Sequence, residues 1–223
     1  MLEVRLLGAF SIKSGQKSVA LTSRPAQSLF AYLVLSAGSS HRREKLAGQL
    51  WPESREEAAR DYLRHALWRI RKALGSVSAA HLLKADDLSV TFVATEESRV
   101  DAAVVGRAAD SQTADKLMGA LSAYQGELLP GFYDEWVVLE REHLKAIYEQ
   151  EMGRLLGMLE QAGRWGEVLD WAERWIAFGQ KPEPAYRGLM LAHAANGDMS
   201  KVAVSYERCV KTQIGRASCR ERV

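Results

Sequence analysis

Apolar positions along the first twenty-one residues alternate with polar ones in short runs. Leu2-Glu3-Val4-Arg5-Leu6-Leu7, Phe10-Ser11-Ile12 and Ser18-Val19-Ala20-Leu21 are separated by Gly8 and by Ser14-Gly15-Gln16, which predicts a small antiparallel sheet. The period then changes to that of a helix. From Arg24 to Leu35, Leu29, Phe30, Leu33 and Val34 share a face, with Thr22 or Ser23 as N-cap, Pro25 in the first turn and a stop near Gly38. A second helix is expected from about Ser40, turning Leu46, Ala47 and Leu50 inward until Pro52 ends it.

A third helix follows Ser54, which with Glu57 suggests a capping box, and runs to Gly75. Ala59, Leu63, Ala66, Leu67, Ile70 and Leu74 fall on one side of it. Asp61, His65, Trp68 and Lys72 lie opposite, with Arg60, Arg64, Arg69 and Arg71 on the flanks. Leu82-Leu83-Lys84 and Ser89 to Val93 then flank the turn-prone pair Asp86-Asp87, predicting a β-hairpin. A sheet, three helices and a closing hairpin are the parts of a winged helix-turn-helix, in which the third helix enters a DNA major groove.

From Val100 onward the pattern is helical. Asp101 caps a short helix, a second spans about Thr113 to Tyr124, and a loop at 126–131 holds Pro130. Tyr133 to Gln161 reads as one long helix. Beyond it the chain repeats with a period of 34: Gly163 with Gly197, Trp165 with Met199, Val168 with Val202, and Glu173-Arg174 with Glu207-Arg208. That is the period of tetratricopeptide repeats. The expected fold is therefore mainly α in two domains: an N-terminal α+β winged helix-turn-helix at 1–95 and an all-α tetratricopeptide-like domain at 96–213.

Charge sharpens this division. Residues 1–95 carry 14 Lys and Arg against 8 Asp and Glu, whereas 96–213 carry 13 against 19. A basic first part beside an acidic second one points to a polyanion met by the first alone. The net charge of +2 conceals that asymmetry. With 47% hydrophobic residues, no run of 18 apolar residues and no secretory leader pattern, the expectation is a cytoplasmic bacterial protein that stays off membranes.

Two stretches resemble a known family. LTSRPAQSLFAYLVLSAGSSHRREKLAGQLWPE with AARDYLRHALWRIRKALG resembles the OmpR-like winged helix of the SARP-type transcriptional activators. YQGELLPGFYDEWVVLEREHLKAIYEQ and the repeats after it resemble the bacterial transcriptional activator domain that accompanies it. The resemblance spans about residues 2–212 in the family's domain order. It implies a homodimer that binds direct repeats in double-stranded DNA upstream of promoters and recruits RNA polymerase. Unlike OmpR-type response regulators, the chain starts at the sheet with no receiver segment ahead, so control by aspartyl phosphorylation within it is not expected. The closing IGRASCRERV has the look of a translated sequencing adapter, so 214–223 is set aside as a non-native tail on a truncated domain.

Base reading is assigned to Arg64, His65 and Trp68 on the exposed side of the third helix, since bidentate Arg to guanine is the commonest specific contact. Arg42, Arg43 and Lys45 on the second helix, Arg60, Arg71 and Lys72 on the third, and Lys84 in the wing are assigned to phosphates. Trp68 has two readings, a helix–helix core residue or an exposed ring stacking on sugar or a thymine methyl. Trp51 beside Pro52 is expected in the core, and Trp136, Trp165, Trp171 and Trp175 are expected to pack within the helical domain. Cys209 reads as a helix-core thiol.

No GxxxxGK[ST], GxSxG or HExxH occurs, and His41, His65, His81, His143 and His193 are scattered. Neither an enzyme nor a metal or cofactor site is expected. Glu140-Arg141-Glu142-His143 reads as a surface charge pair on the long helix. The alternative to a DNA-binding activator is a helical-repeat scaffold, or a ligand-sensing module, without specific DNA binding.

Overall fold

The computed structural model describes residues 1–95, 98–178 and 182–220, with side chains as far as 212. It divides into two compact units, Met1–Arg107 with Ser122–Lys145, and Ala108–Leu121 with Ala146–Val223. The tail expected at 214–223, including Cys219, lies where no side chain is described.

In the first unit, β1 (Leu2–Arg5), β2 (Ser11–Ser14) and β3 (Lys17–Ser18) form the predicted antiparallel ribbon. Helices α1 (Arg24–Leu35), α2 (Arg43–Leu50) and α3 (Glu56–Gly75) follow, then the hairpin β5 (Leu83–Ala85) and β6 (Ser89–Phe92). The two-residue strand β4 (His41–Arg42) pairs with β6, so the wing has three strands in the order β4-β6-β5. Strand β7 (Ser98–Val100), where no strand was expected, joins the ribbon in parallel beside β1.

The apolar face read from α3 is the face that is buried: Ala59, Leu63, Ala66, Leu67, Ile70 and Leu74. Helix α3 packs on α1 and α2, and α1 on β6 of the wing; Leu29, Phe30 and Leu33 of α1, Leu46 of α2 and Phe92 of the wing are almost wholly excluded from water. Phe30 meets Phe92 edge-on at 5.8 Å between ring centroids, and each such buried side chain contributes about 2 kcal/mol of apolar transfer.

Several local expectations are corrected. Ser54 does not cap α3: Arg55 is the N-cap and no side chain bonds the free amides, so the exposed Glu56 and Glu57 face the positive end of the helix instead. Arg42 is in strand β4 and not on the second helix, because its backbone is held by Ser89 of the wing. Trp51 is half-buried, its ring tilted against Tyr62 at 6.2 Å. Arg141 is no surface charge: its guanidinium turns inward to the carbonyls of Leu128, Leu129 and Phe132 at 2.9–3.0 Å.

Residues 101–107 and 122–145 of the first unit add α4 (Asp101–Gly106) and the start of α6 (Glu135–Gln161). Trp136 on α6 donates its indole N–H to Ser28 Oγ at 3.3 Å and packs edge-on to Tyr32 at 5.3 Å, both on α1. Gly8 and Gly126 pass within a close backbone approach. At Gly8 (φ +81°) a Cβ would lie 2.9 Å from the Gln125 carbonyl oxygen, so no side chain fits.

The second unit contains α5 (Ala114–Leu121), the rest of α6, and α7 (Trp165–Ala177), α8 (Glu183–Ala195) and α9 (Met199–Arg220). The 34-residue repeat is reproduced in backbone geometry. Gly163 and Gly197 both take positive φ, and behind them Arg164 N bonds Leu159 O while Asp198 N bonds His193 O, each at 2.9 Å. The two helix ends are thus the same left-handed cap, 34 residues apart, and α7 and α9 start at the corresponding Trp165 and Met199. Tyr148, Met152, Leu155, Leu159, Val168, Trp175 and Leu189 fill the core, with Cys209 also buried. Trp165 and Trp171 are half-buried. Arg154 braces the entry to α5, bonding buried Glu151 at 2.6 Å and the carbonyls of Ser111 and Ala108 at 3.0 and 3.1 Å. Among the described residues no helix is long and apolar enough to cross a membrane.

Candidate nucleic-acid interface

Burying one side of α3 leaves the other to solvent, and that side carries Arg64, His65 and Trp68. Trp68 is 58% exposed, which selects the exposed reading of that ring over the core one. Lys72, one turn on, places its ammonium over the indole at 5.1 Å, a cation–π contact that fixes the ring against the helix. Arg64 is paired with Asp61 at 3.1 Å, both largely exposed. Such a surface pair is worth under about 1 kcal/mol, so a phosphate or guanine edge can displace it.

The cations assigned to phosphates divide into two groups. Arg42, Lys45 and Lys84 are exposed and make no ion pair among the described residues. The others are engaged. Arg60 bonds Glu56 one turn earlier and Glu44 on α2 at 3.4 Å. Arg43 donates to the Asp86 carbonyl at 2.9 Å and its own amide to Leu88 O at 3.0 Å. Arg71 donates to the Ala85 carbonyl at 3.0 Å. Two arginines, one from α2 and one from α3, therefore tie the wing to the helices.

The wing's turn is closed by Asp86. Its carboxylate accepts from the amides of Leu88 and Ser89 at 2.8 and 2.6 Å and from Ser89 Oγ at 3.1 Å. Those amides, ahead of the nearby Arg43 charge, hold its carboxyl below the ordinary aspartate range. The sequence showed Asp86-Asp87 as a turn pair but not that Arg43 would reach it.

Three exposed residues beside the predicted set had no role assigned from the sequence: Arg55 at the N-cap of α3, Tyr62, and Arg69, which the helical wheel had placed on a flank. Helical spacing alone offered a signal, since Tyr62, His65 and Arg69 are three and four residues apart. What they face is supplied by Trp51 and the 18–25 segment, distant in sequence.

A helix-turn-helix closed by a wing and accompanied by stacked helical repeats is the architecture of a transcriptional regulator. Residues 87–215 match the model of the bacterial transcriptional activator domain. The chain belongs to that family, the family of the SARP-type transcriptional activators. Its fold is also that of a solved structure, Mycobacterium tuberculosis EmbR in complex with a low-affinity phosphopeptide, at 20% identity and a TM-score of 0.70. The match covers 95% of this chain and 59% of that one, so the chain spans somewhat over half the length of EmbR. Comparison with curated proteins gives no match.

Proposed function

We propose that the protein is a sequence-specific DNA-binding activator. Helix α3 reads the major groove through Arg64, His65 and Trp68, and Arg42, Lys45 and Lys84 hold phosphates on either side. The observation that supports this most is the exposed face of α3: cationic and aromatic groups on a helix whose opposite face is fully buried and whose wing is braced by Arg43 and Arg71. A helix so held is preorganised for a groove. Following the family, the protein binds direct repeats as a dimer and contacts RNA polymerase in the bacterial cytoplasm. A helical-repeat scaffold without DNA binding is the competing reading, drawn from the repeats of the second unit.

Duplex binding measured across salt concentrations separates the two. A DNA reader loses affinity steeply with salt, by a log–log slope of about 0.9 for each phosphate contacted. Arg64→Ala relaxes discrimination between a selected site and a scrambled duplex, whereas Lys84→Ala weakens both alike and flattens the slope. Absence of any complex at low salt refutes the DNA reading.

A further inference from the structure

Two adjoining depressions run along the flank of α3 that faces residues 18–25. The first, about 280 Å³, is lined by Trp51, Tyr62, His65, Pro25, Ser23 and Arg69. The second, about 450 Å³, continues past Arg69 to Trp68 and Lys72, with Ser18, Thr22 and Ser23 opposite. Arg69 and Ser23 line both, so together they form one groove with Arg69 at its middle.

Its chemistry is one-sided. Arg69, His65 and Lys72 contribute cationic or protonatable groups, Ser18, Thr22 and Ser23 contribute hydroxyls, and no carboxylate among the described residues lines either depression. Two further cavities of the first unit include Glu3 and Asp101, or Glu140. Arg64 and Arg60 are paired with acids on their own helix; Arg69 is exposed and makes no ion pair among the described residues. At the groove's first end, the Trp51 and Tyr62 rings offer apolar faces of a size to cover a sugar.

We propose that this groove seats the deoxyribose-phosphate backbone of one DNA strand, with Arg69 on a phosphate and Trp51 and Tyr62 against the adjoining sugar. The assignment rests on the DNA-binding reading above and adds a contact that reading did not contain. A cation with no ion pair among the described residues, flanked by hydroxyl donors and aromatic faces and with no carboxylate among the described lining, suits an anion carried on an apolar ring, and a phosphodiester strand is such a ligand. Its position on the edge of the helix that carries Arg64 and Trp68 allows the same duplex to be held by its backbone while α3 reads its bases. Arg69 acts here as a positioning residue, fixing the register of α3 along the groove.

The test uses the full chain and fluorescence anisotropy on a selected duplex and a scrambled one, at several salt concentrations. Arg69→Ala is expected to weaken both duplexes alike, by about tenfold at low salt, as for loss of one charge-assisted contact. It also flattens the salt slope by about 0.9, and Arg69→Lys restores the slope. Tyr62→Ala weakens binding without altering the slope, because the contact it removes carries no charge. Circular dichroism checks that each variant keeps the wild-type helix content; a merely structural role for Arg69 lowers thermal stability and leaves the slope unchanged. If Lys84→Ala flattens the slope and Arg69→Ala does not, the groove assignment is wrong and the DNA reading stands. If wild type itself forms no complex at low salt, both fall. Binding of poly-glutamate that depends on Arg69, with DNA binding indifferent to it, assigns the groove to an acidic peptide and overturns the proposal.

Discussion

Asp101 and Leu6 are joined by a bidentate contact: the Leu6 amide lies 2.9 and 3.0 Å from the two carboxylate oxygens. The same carboxylate accepts from the amides of Leu7 at 2.9 Å and Ala102 at 2.7 Å. One side chain thereby satisfies the end of the first strand and the first turn of α4, ninety-odd residues apart. Burial pushes its carboxyl above the ordinary aspartate value, and the three amides oppose that rise. Asp101→Ala leaves those amides without an acceptor, so the expected cost is about 2 kcal/mol or more, read as a lower midpoint in urea denaturation. Asp101→Asn is also expected to destabilise, since its NH₂ group faces donors.

The first unit draws on more than the first 95 residues. Strand β7 pairs with β1, Trp136 and Arg141 come from α6, and the Gly8 amide bonds Glu127 O at 2.9 Å. A fragment ending at residue 95 lacks all of these and exposes the edge of β1 and the back of α1. We predict that fragment 1–95 shows collapsed amide dispersion by NMR, whereas fragment 1–145 retains the dispersion of the intact protein. Equal dispersion in both refutes a structural role for 98–145 in the winged helix.

Gly8 offers a sharper probe of the same region. A methyl group there meets the Gln125 carbonyl oxygen at 2.9 Å in a backbone conformation that side chains rarely adopt. Gly8→Ala is expected to lower stability by about 1–3 kcal/mol, whereas Gly48→Ala, at an open position, is expected to be neutral or slightly stabilising. Chemical denaturation of the two variants side by side makes the comparison.

His41 couples the wing's first strand to pH. Its Nε2 lies 2.7 Å from Ser36 Oγ and its ring meets Tyr32 edge-on at 5.2 Å. Burial, and after it the charge of Lys45, lowers its pKa from the ordinary 6.5. A folded value below the unfolded one means that the stabilisation is full above 6.5 and is lost as pH falls through the lower folded value. The midpoint temperature should therefore fall as the pH drops below 6.5, and His41→Gln should flatten that part of the profile.

Asp61 restrains Arg64. Asp61→Asn removes the partner at 3.1 Å and a negative charge from the exposed face of α3. DNA affinity is expected to rise and the salt dependence to steepen, measured by anisotropy on the selected duplex. A fall in affinity assigns Asp61 a direct role in positioning Arg64 instead.

The sequence determined the elements and their faces. The six residues buried on α3 are those its periodicity selects, because a helix at a domain surface must hide a stripe of that spacing. The repeat at 163 and 197 was legible for a similar reason: a glycine in a left-handed helix cap leaves a local mark. Contacts between distant segments left no such mark. The strand at 98–100 is three residues long and gains its identity only from β1 beside it. Whether Trp68 was core or exposed, which arginines were already paired, and that Arg69 borders Trp51 and Ser23 in one groove were decided by tertiary structure. Helical spacing fixes which side chains share a face. What stands opposite that face depends on where the rest of the chain returns, and that return sets which cations are left without an ion pair among the described residues.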